Sequence, residues 1–203
     1  MSELGLFPLP MVLLPTEQMP LHIFEDRYKE LIDECLEEDR AFGLLYAEDD
    51  GIHEIGTNAS VVEVLTRFED GRMNILVEGG DRFRIEELTD GRSFQTGVTV
   101  PLVDDDDPAE DATIERALEL FGRLKDITGS EVEVPAADAP QLSFALAARV
   151  ELEPEVKQGL LQDTSEHDRL ERVCELLVDA ATTVERQRRA AERASTNGRV
   201  DLS

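Results

Sequence analysis

The sequence has few of the residues that mark a catalytic, disulfide-rich or membrane-spanning protein. Its 203 residues include two cysteines, three histidines and no tryptophan. Cys35 and Cys174 lie far apart, each in an apolar helical pattern, so we predict buried free thiols and no disulfide framework. No apolar run approaches the roughly 20 residues of a membrane span. The opening residues, MSELGLFPLP, contain no basic leader. Together these absences predict a cytoplasmic protein.

Positive charge is also scarce. Forty-six Asp and Glu residues oppose 20 Lys and Arg residues, which gives a formal net charge of −26. A surface this negative repels phosphate backbones and anionic lipids, so we expect neither nucleic acid nor a membrane as a partner. Solubility is the main expected consequence of this charge. Adaptation to high salt, suggested by the shortage of lysine, stays an alternative.

The signatures of metal, phosphate and nucleotide sites are missing from the sequence. His22, His53 and His167 have no neighbours at metal-ligand spacing. No lysine follows a glycine, as a phosphate-binding loop requires, and Gly79-Gly80 lacks the later glycine of a dinucleotide-binding fingerprint. The four aspartates at 104–107 have neither the alternating ligands nor the central glycine of a calcium loop. We therefore predict no metal and no cofactor.

No candidate nucleophile stands out either. No serine occupies a G-x-S-x-G pattern. Cys35 and Cys174 fall on predicted buried faces, where thiols are inert. We therefore predict no catalytic residue and a protein that is not an enzyme. An unrecognised hydrolase, with a nucleophile and a histidine brought together by the fold, is the least favoured alternative.

Residues 1–103 are predicted to form a β-rich subdomain with one helix. Apolar runs punctuated by Pro, Gly and Asp-Gly pairs predict strands at residues 4–9 (an edge strand), 18–23, 41–47, 54–68, 72–88 and 93–103. A helical period over 24–38 predicts a helix with Tyr28, Leu31, Ile32, Cys35 and Leu36 on its buried face. Asp-Gly at 50–51, 70–71 and 90–91 predicts tight turns, and Gly79-Gly80 predicts a bulge or corner. The expected fold class is α+β, with a curled sheet or partly closed barrel.

Residues 104–203 are predicted to form a helical subdomain with a frayed C-terminal tail. Asp107 as N-cap and Pro108 as first residue predict a helix ending at Gly129. Further helices are predicted over 139–152, from Pro154 to about Leu161, and from a capping box at Ser165. The predicted inward residues of the first and last of these helices are Ile114, Leu118, Phe121 and Leu124, then Leu170, Val173, Cys174, Leu177, Val178, Ala181 and Val184. Arginines after residue 185 are interpreted as favourable charges at a helix C-terminus.

Four stretches resemble one known family. The segment LFPLPMVLLPTEQMPLHIFEDRYKELI (6–32) is similar to the opening strand, proline-bounded loop and first helix of the LON substrate-binding domain, the amino-terminal domain of Lon proteases. IHEIGTNASVVEV (52–64) and DGRMNILVEGGDRFRIEEL (70–88) resemble its following strand and hairpin, in the same order. DTSEHDRLERVCELLV (163–178) resembles its helical end. Because no ATPase or protease motif follows, the chain resembles a free-standing bacterial form of that domain.

The resemblance implies a non-catalytic module that binds unfolded or exposed polypeptide segments, as a protein quality-control adaptor. An assembly domain, for self-association or for docking to a separate Lon-type protease, is the alternative. The contact residues stay unidentified. Five residues match the family pattern, and for each we favour a structural role: Pro20 in an extended segment, Phe24 in the core, Gly56 and Gly79 in turns or bulges, and Arg82 bound to a carbonyl or carboxylate inside the fold.

Overall fold

A computed structural model describes residues 2–49 and 51–197. The strands are β1 (Ser2–Leu9), β2 (Gln18–Ile23), β3 (Phe42–Glu48), β4 (Gly51–Arg67), β5 (Met73–Thr89) and β6 (Thr96–Pro101). The helices are α1 (Asp26–Glu38), α2 (Asp111–Thr128), α3 (Leu142–Ala147), α4 (Pro154–Gln162) and α5 (Glu166–Asn197). None of the described helices is long and apolar enough to cross a bilayer.

The six strands form one mixed sheet that closes on itself. Their order is β2-β5-β4-β3-β1-β6, and a further pairing of β5 with β6 completes a five-strand ring that excludes β2. The predicted α+β class with a curled, barrel-like sheet is confirmed. The prediction of β1 as an edge strand is wrong, because its first half pairs with β6 and its second half pairs parallel to β3.

Helix α1 packs against the inner face of the sheet. Tyr28, Leu31, Ile32 and Cys35 are buried, as their spacing predicts, whereas Leu36 is exposed. Their partners in the main core include Phe7, Phe42, Ile75 and Phe94, from strands and loops widely separated in sequence. The amphipathic period of α1 therefore supplies one side of the core and the alternating strands supply the other.

Contacts along the chain divide it into two compact units, which we call the sheet unit (Met1–Asp106 and Ala147–Ser165) and the helical unit (Asp107–Leu146 and Glu166–Ser203). Helix α4 belongs to the sheet unit although it follows two helices of the other unit in sequence. Lys157 pairs with Glu17, and the Gln158 side chain donates to the Ile55 carbonyl at 3.1 Å. The division into a β-rich subdomain at 1–103 and a helical subdomain at 104–203 stays a prediction.

The helical unit is built mainly on α2 and α5. Phe121 and Leu124 of α2 are buried as predicted, but Thr113 and Ala117 take the places expected for Ile114 and Leu118. In α5, five of the seven predicted inward residues are buried, Val184 is half-buried and Val178 is exposed. Helix α5 continues through the residues predicted to fray as far as Asn197, and residues 198–203 lie outside the described part.

Two predicted helix boundaries are wrong for local reasons. Helix α2 begins at Asp111 after the N-cap Glu110, not at Pro108. Asp105 accepts a hydrogen bond from Thr164 through its side chain and donates its N–H to the Thr164 carbonyl, so this segment remains extended. The helix predicted over 139–152 is shortened to Leu142–Ala147, preceded by a positive φ of 49° at Gln141. Gly129, as expected, ends α2 with a φ of 69°.

Gly79 lies where the loop after β1 crosses β5. The predicted bulge is confirmed, because Gly80 and Asp81 of β5 oppose only Asn58 between the pairs Thr57–Arg82 and Ala59–Gly79. A Cβ atom on Gly79 would lie 2.1 Å from the Leu14 carbonyl oxygen. The glycine is therefore required for close backbone approach. The glycines of all three Asp-Gly pairs have positive φ, and Asp50 lies outside the described residues.

Substitution of Gly79 by alanine should destabilise the protein strongly. The new methyl group would collide with backbone, which cannot move aside as a side chain can, so we expect Gly79→Ala to lower the free energy of unfolding by about 2 kcal/mol or more. Gly80→Ala is the matched control, since its Cβ would lie 3.5 Å from the nearest atom. Urea denaturation would measure both. Equal midpoints for the two variants would contradict the close-approach argument.

Candidate functional site

Strands β2, β5 and β4 form a three-strand layer, and two bulges in β4 leave apolar side chains exposed on it. In β4, Val62 is an extra residue between the pairs Val61–Val77 and Glu63–Leu76, and Leu65 is an extra residue between Val64–Ile75 and Thr66–Asn74. Such bulges change the direction of side chains that strict alternation would place elsewhere. Val62 and Leu65 are each 47 % exposed, next to the half-buried Leu76.

An aromatic cluster continues this face at one end of the layer. The His22 ring stacks on Phe24 with centroids 5.8 Å apart and meets the edge of Phe68 at 6.3 Å. His22 Nδ1 lies 2.6 Å from Asn74 Oδ1, which fixes the ring plane from the neighbouring strand. Phe24 is 58 % exposed, so its predicted place in the core is wrong. Ile23, one residue earlier on the opposite face, takes the core position instead.

We call this region the outer apolar surface, defined by Pro20, His22, Phe24, Val62, Leu65 and Phe68. Charged groups lie at its rim. The Arg72 guanidinium lies 5.2 Å from the centre of the Phe68 ring and pairs with Asp70. Hydrogen bonds from the Arg72 backbone and side chain hold the pKa of Asp70 below its usual value. Glu63 is exposed and pairs with Leu76 in the sheet, and its side chain has no hydrogen bond or ion pair to any described residue.

The outward edge of β2 is a poor template for another strand. Among the described strands, β2 pairs with β5 alone. Pro20 lies opposite Leu76 and has no N–H, so this position cannot form a hydrogen-bonded pair and its nitrogen faces the open edge. A proline at the centre of an edge strand blocks strand addition. The sheet can therefore offer side chains on its outer face more readily than backbone groups along this edge.

Arg82 has the internal role that the sequence predicted. It is 2 % exposed, and its guanidinium donates to the carbonyl oxygens of Leu161 at 2.7 Å and Asp163 at 2.6 Å. It also pairs with the Asp104 carboxylate. Arg82 thus fixes the end of α4 and the segment after β6 to the sheet. Gly56 likewise has a structural role, since a Cβ there would lie 2.5 Å from the Leu44 carbonyl oxygen.

Removal of the Arg82 guanidinium should destabilise the sheet unit. Arg82→Leu would leave two buried carbonyl groups and a partly buried carboxylate without their donor, so we expect a loss of about 3 kcal/mol in the free energy of unfolding. Arg84→Leu, two residues along the strand and exposed, should change it by less than about 0.5 kcal/mol. Urea denaturation followed by circular dichroism compares the two. Similar losses would show that Arg82 is not a specific clamp.

The described contacts of the histidines and cysteines do not assemble a nucleophile and its base. His22 contacts Asn74 and the two phenylalanines, whereas His53 stacks on Tyr46 at 4.9 Å. Both cysteines are buried and free, as predicted. Burial raises the pKa of Cys35 to about 11 and raises that of Cys174 as well. Within the described residues, no group of three or more His, Cys, Asp or Glu side chains could hold a metal ion.

The raised pKa values predict inert thiols. At pH 8 both side chains are protonated, and only the thiolate reacts with disulfide reagents. We expect a thiol-specific chromogenic disulfide to label neither cysteine of the native protein over minutes at pH 8, and to label both at once in denaturant. Fast labelling of Cys35 in the native protein would contradict the burial argument and reopen the enzyme alternative.

Sequence reasoning missed the residues that make the outer apolar surface. The strand predicted at 54–68 gives Val62, Leu65 and Phe68 no special role, and Phe24 is predicted to lie in the core. A signal was present: Val61-Val62 and Val64-Leu65 are adjacent apolar pairs that break the alternation of a half-buried strand. Adjacent side chains of a regular strand point to opposite faces, so two adjacent apolar residues in a half-buried strand indicate a bulge.

The fold and its surfaces define an α+β domain built on a six-strand mixed sheet. The family model described as ATP-dependent protease La (LON) substrate-binding domain matches residues 3–179. The chain belongs to this family, and the resemblance found in the sequence is confirmed. The matched family is that of the substrate-binding domain, not of the protease or ATPase domain.

Known proteins show the same relationship. The chain is 26 % identical to Lon protease of Paraburkholderia phytofirmans and 23 % identical to Lon protease 1 of Hydrogenovibrio crunogenus, over 94 % and 90 % of its length. It spans about a quarter of the length of these relatives. The crystal structure of a Lon N-terminal domain protein from Xanthomonas campestris matches 85 % of this chain and 97 % of its own, with a TM-score of 0.67 and 25 % identity. The N-terminal domain of a Mycobacterium avium complex Lon protease, 16 % identical over 89 % of this chain and 98 % of its own, has a TM-score of 0.65 and shows the fold alone.

Proposed function

We propose that this protein is a non-catalytic module that binds exposed or unfolded polypeptide segments through the outer apolar surface. The observation that carries this proposal is the exposure of three large apolar side chains on this layer, those of Phe24, Phe68 and Leu65. Exposed contiguous apolar residues on a folded domain mark interaction sites. A family of substrate-binding domains supports a polypeptide as the ligand.

The geometry suits a peptide with separated apolar side chains. The aromatic cluster at one end and Val62 with Leu65 along β4 offer two exposed apolar areas, and His22 and Asn74 provide polar groups beside the aromatic rings. Aromatic rings bury a large area at low entropic cost and serve as anchors in interfaces. Because the surface is small and open, we expect dissociation constants on the order of micromolar, which correspond to about −8 kcal/mol.

Charge should select among such peptides. The net charge of −26 attracts basic segments and accelerates their encounter in a salt-dependent way. Glu63 lies within the apolar area and has no cationic partner among the described residues. A lysine or arginine in the bound segment could supply that partner. The proposed ligand is therefore an apolar segment with basic flanking residues.

Leu65→Ser should weaken binding of such a segment. We expect the dissociation constant of a fluorescein-labelled 12-residue peptide containing Phe, Leu and Lys, with an amidated C-terminus, to rise about tenfold, because one apolar contact of roughly 1.4 kcal/mol is lost. Fluorescence anisotropy at low and moderate salt would measure it. Leu65 is exposed in the free protein, so the substitution should not affect folding.

Leu88→Ser is the matched control for this experiment. Leu88 is 50 % exposed on the other half of β5, against 47 % for Leu65, and pairs with Gly97 of β6. It should bind the peptide as the unsubstituted protein does. Equal losses in both variants, or no binding by any of the three proteins, would refute the proposal.

Self-association through the same surface is the second candidate, favoured by its apolar character. It would make the protein an assembly domain, for itself or for docking to a separate Lon-type protease. Light scattering on the same samples distinguishes the two functions. A dimer that Leu65→Ser converts to a monomer supports assembly, whereas a monomer that binds peptide supports polypeptide recognition.

A further inference from the structure

A depression of about 550 Å³ lies elsewhere on the sheet unit. Its walls come from β4, β5 and α4, and its lining residues are Ile52, His53, Glu54, Ile55, Arg84 and Gln162. An irregularity of the sheet accounts for it. Between the pairs Leu45–Gly56 and Ala47–Ile52, the single residue Tyr46 of β3 opposes three residues of β4. The surplus chain bends away from β3, as at other bulges, and carries His53, Glu54 and Ile55 into the wall.

The wall residues are held in position by the rest of the unit. The His53 ring stacks on Tyr46 at 4.9 Å. The Tyr46 hydroxyl lies 2.6 Å from Glu48 Oε1 and 3.1 Å from Glu155 Oε1 of α4, and the bond to Glu48 raises the pKa of Tyr46 above its usual range. Gln158 of α4 donates to the Ile55 carbonyl, and Gln162 lies one turn further on the same helix. The depression is therefore preformed.

Arg84 is the exceptional residue of this depression. Each of the other lysines and arginines in the described sheet unit has a hydrogen bond, ion pair or equivalent contact. The Arg84 side chain alone among them has no such contact, although acidic residues outnumber basic ones in the chain by more than two to one. Glu54 lines the same depression without forming an ion pair with Arg84. The Arg84 guanidinium therefore has no partner within the described fold and can donate two hydrogen bonds to a ligand in the depression.

Helix α4 contributes Gln162 to the lining, and Gln158 lies one turn earlier on the helix, outside the lining. Gln158 is 3 % exposed, and its Oε1 has no hydrogen-bond partner among the described residues. The contact of Nε2 with the Ile55 carbonyl fixes the orientation of this amide, because the flipped amide would bring two oxygens together. The Gln162 side chain is exposed at the mouth and can accept or donate. Ile52 and Ile55 provide the apolar part of the lining.

We infer that this depression binds the C-terminal residue of a polypeptide. Its carboxylate would pair with the Arg84 guanidinium, whose planar fork matches a carboxylate. The backbone N–H of that residue would donate to the Gln162 amide oxygen, and its apolar side chain would pack on Ile52 and Ile55. This inference rests on the proposed function and adds an end-specific contact to it. An aspartate or glutamate side chain offers the same carboxylate chemistry without the adjoining chain end.

Nuclear magnetic resonance titration of the full chain with three short peptides tests the inference. The probes are N-acetyl-Ala-Ala-Leu with a free carboxylate, the same peptide as its C-terminal amide, and an amidated N-acetyl-Ala-Asp-Leu. We expect the free acid to shift the amide signals of Ile55, Arg84 and Gln162. Both amidated peptides should have dissociation constants at least about tenfold higher, because they lack the charged carboxylate at the chain end.

Arg84→Gln should reduce binding of the free acid to the level of its amide, and Arg84→Lys should fall between, since it keeps the charge but loses the bidentate geometry. Arg186→Gln, an equal charge change at an exposed position of α5, is the control and should bind normally. Equal binding of acid and amide, or an unaffected Arg84→Gln variant, overturns the inference. Strong binding of the amidated aspartate peptide overturns it too, in favour of a side-chain carboxylate site.

The two proposals fail separately. Loss of the Arg84 dependence leaves Leu65-dependent binding of the amidated 12-residue peptide intact, and the outer apolar surface then accounts for recognition alone. If the Leu65 dependence is absent but the free acid still needs Arg84, the depression is a site and the outer apolar surface is not. Absence of binding by every peptide refutes both.

Discussion

The buried guanidinium of Arg82 connects three parts of the sheet unit that are distant in sequence. It starts on β5, reaches the Leu161 and Asp163 carbonyls at the end of α4, and pairs with Asp104 after β6. A buried charge is costly unless its donors are used, so this arrangement is stable only when all these segments are in place. Arg82 thus positions the end of α4 together with the Lys157–Glu17 ion pair and the hydrogen bond from Gln158 to Ile55.

Bulges in β4 then give the scaffold its two distinct surfaces. A 17-residue strand with perfect alternation would present one apolar and one polar face along its whole length. Extra residues at Val62 and Leu65 instead leave apolar side chains exposed, and the surplus of two residues opposite Tyr46 opens the depression. The inner face still contributes Ala59 and Val61 to the core and its border. Irregular pairing therefore changes the exposed surface at little cost to packing.

Sequence patterns predicted the elements well because their causes are local. The period of α1, the proline at the start of α4 and the Gly129 helix end depend on a few neighbouring residues, and the structure has all three. The failures have causes distant in sequence. Phe24 is exposed because Ile23 fills the core, α2 starts late because Thr164 binds Asp105, and β1 is interior because β6 returns beside it. The candidate surfaces depend on cross-strand register, which a single sequence does not specify.

The excess of negative charge opposes contact between copies through the exposed apolar side chains. Phe24, Leu65 and Phe68 would promote contact between copies if nothing opposed it, as exposed apolar patches do. With a net charge of −26, two copies repel each other before these side chains meet. A basic segment experiences attraction instead. Among the described cations of the sheet unit, Arg84 is the one whose side chain has no partner within the fold. Under the proposed function, the same net charge that opposes self-contact favours a positively charged polypeptide over a second copy of the chain.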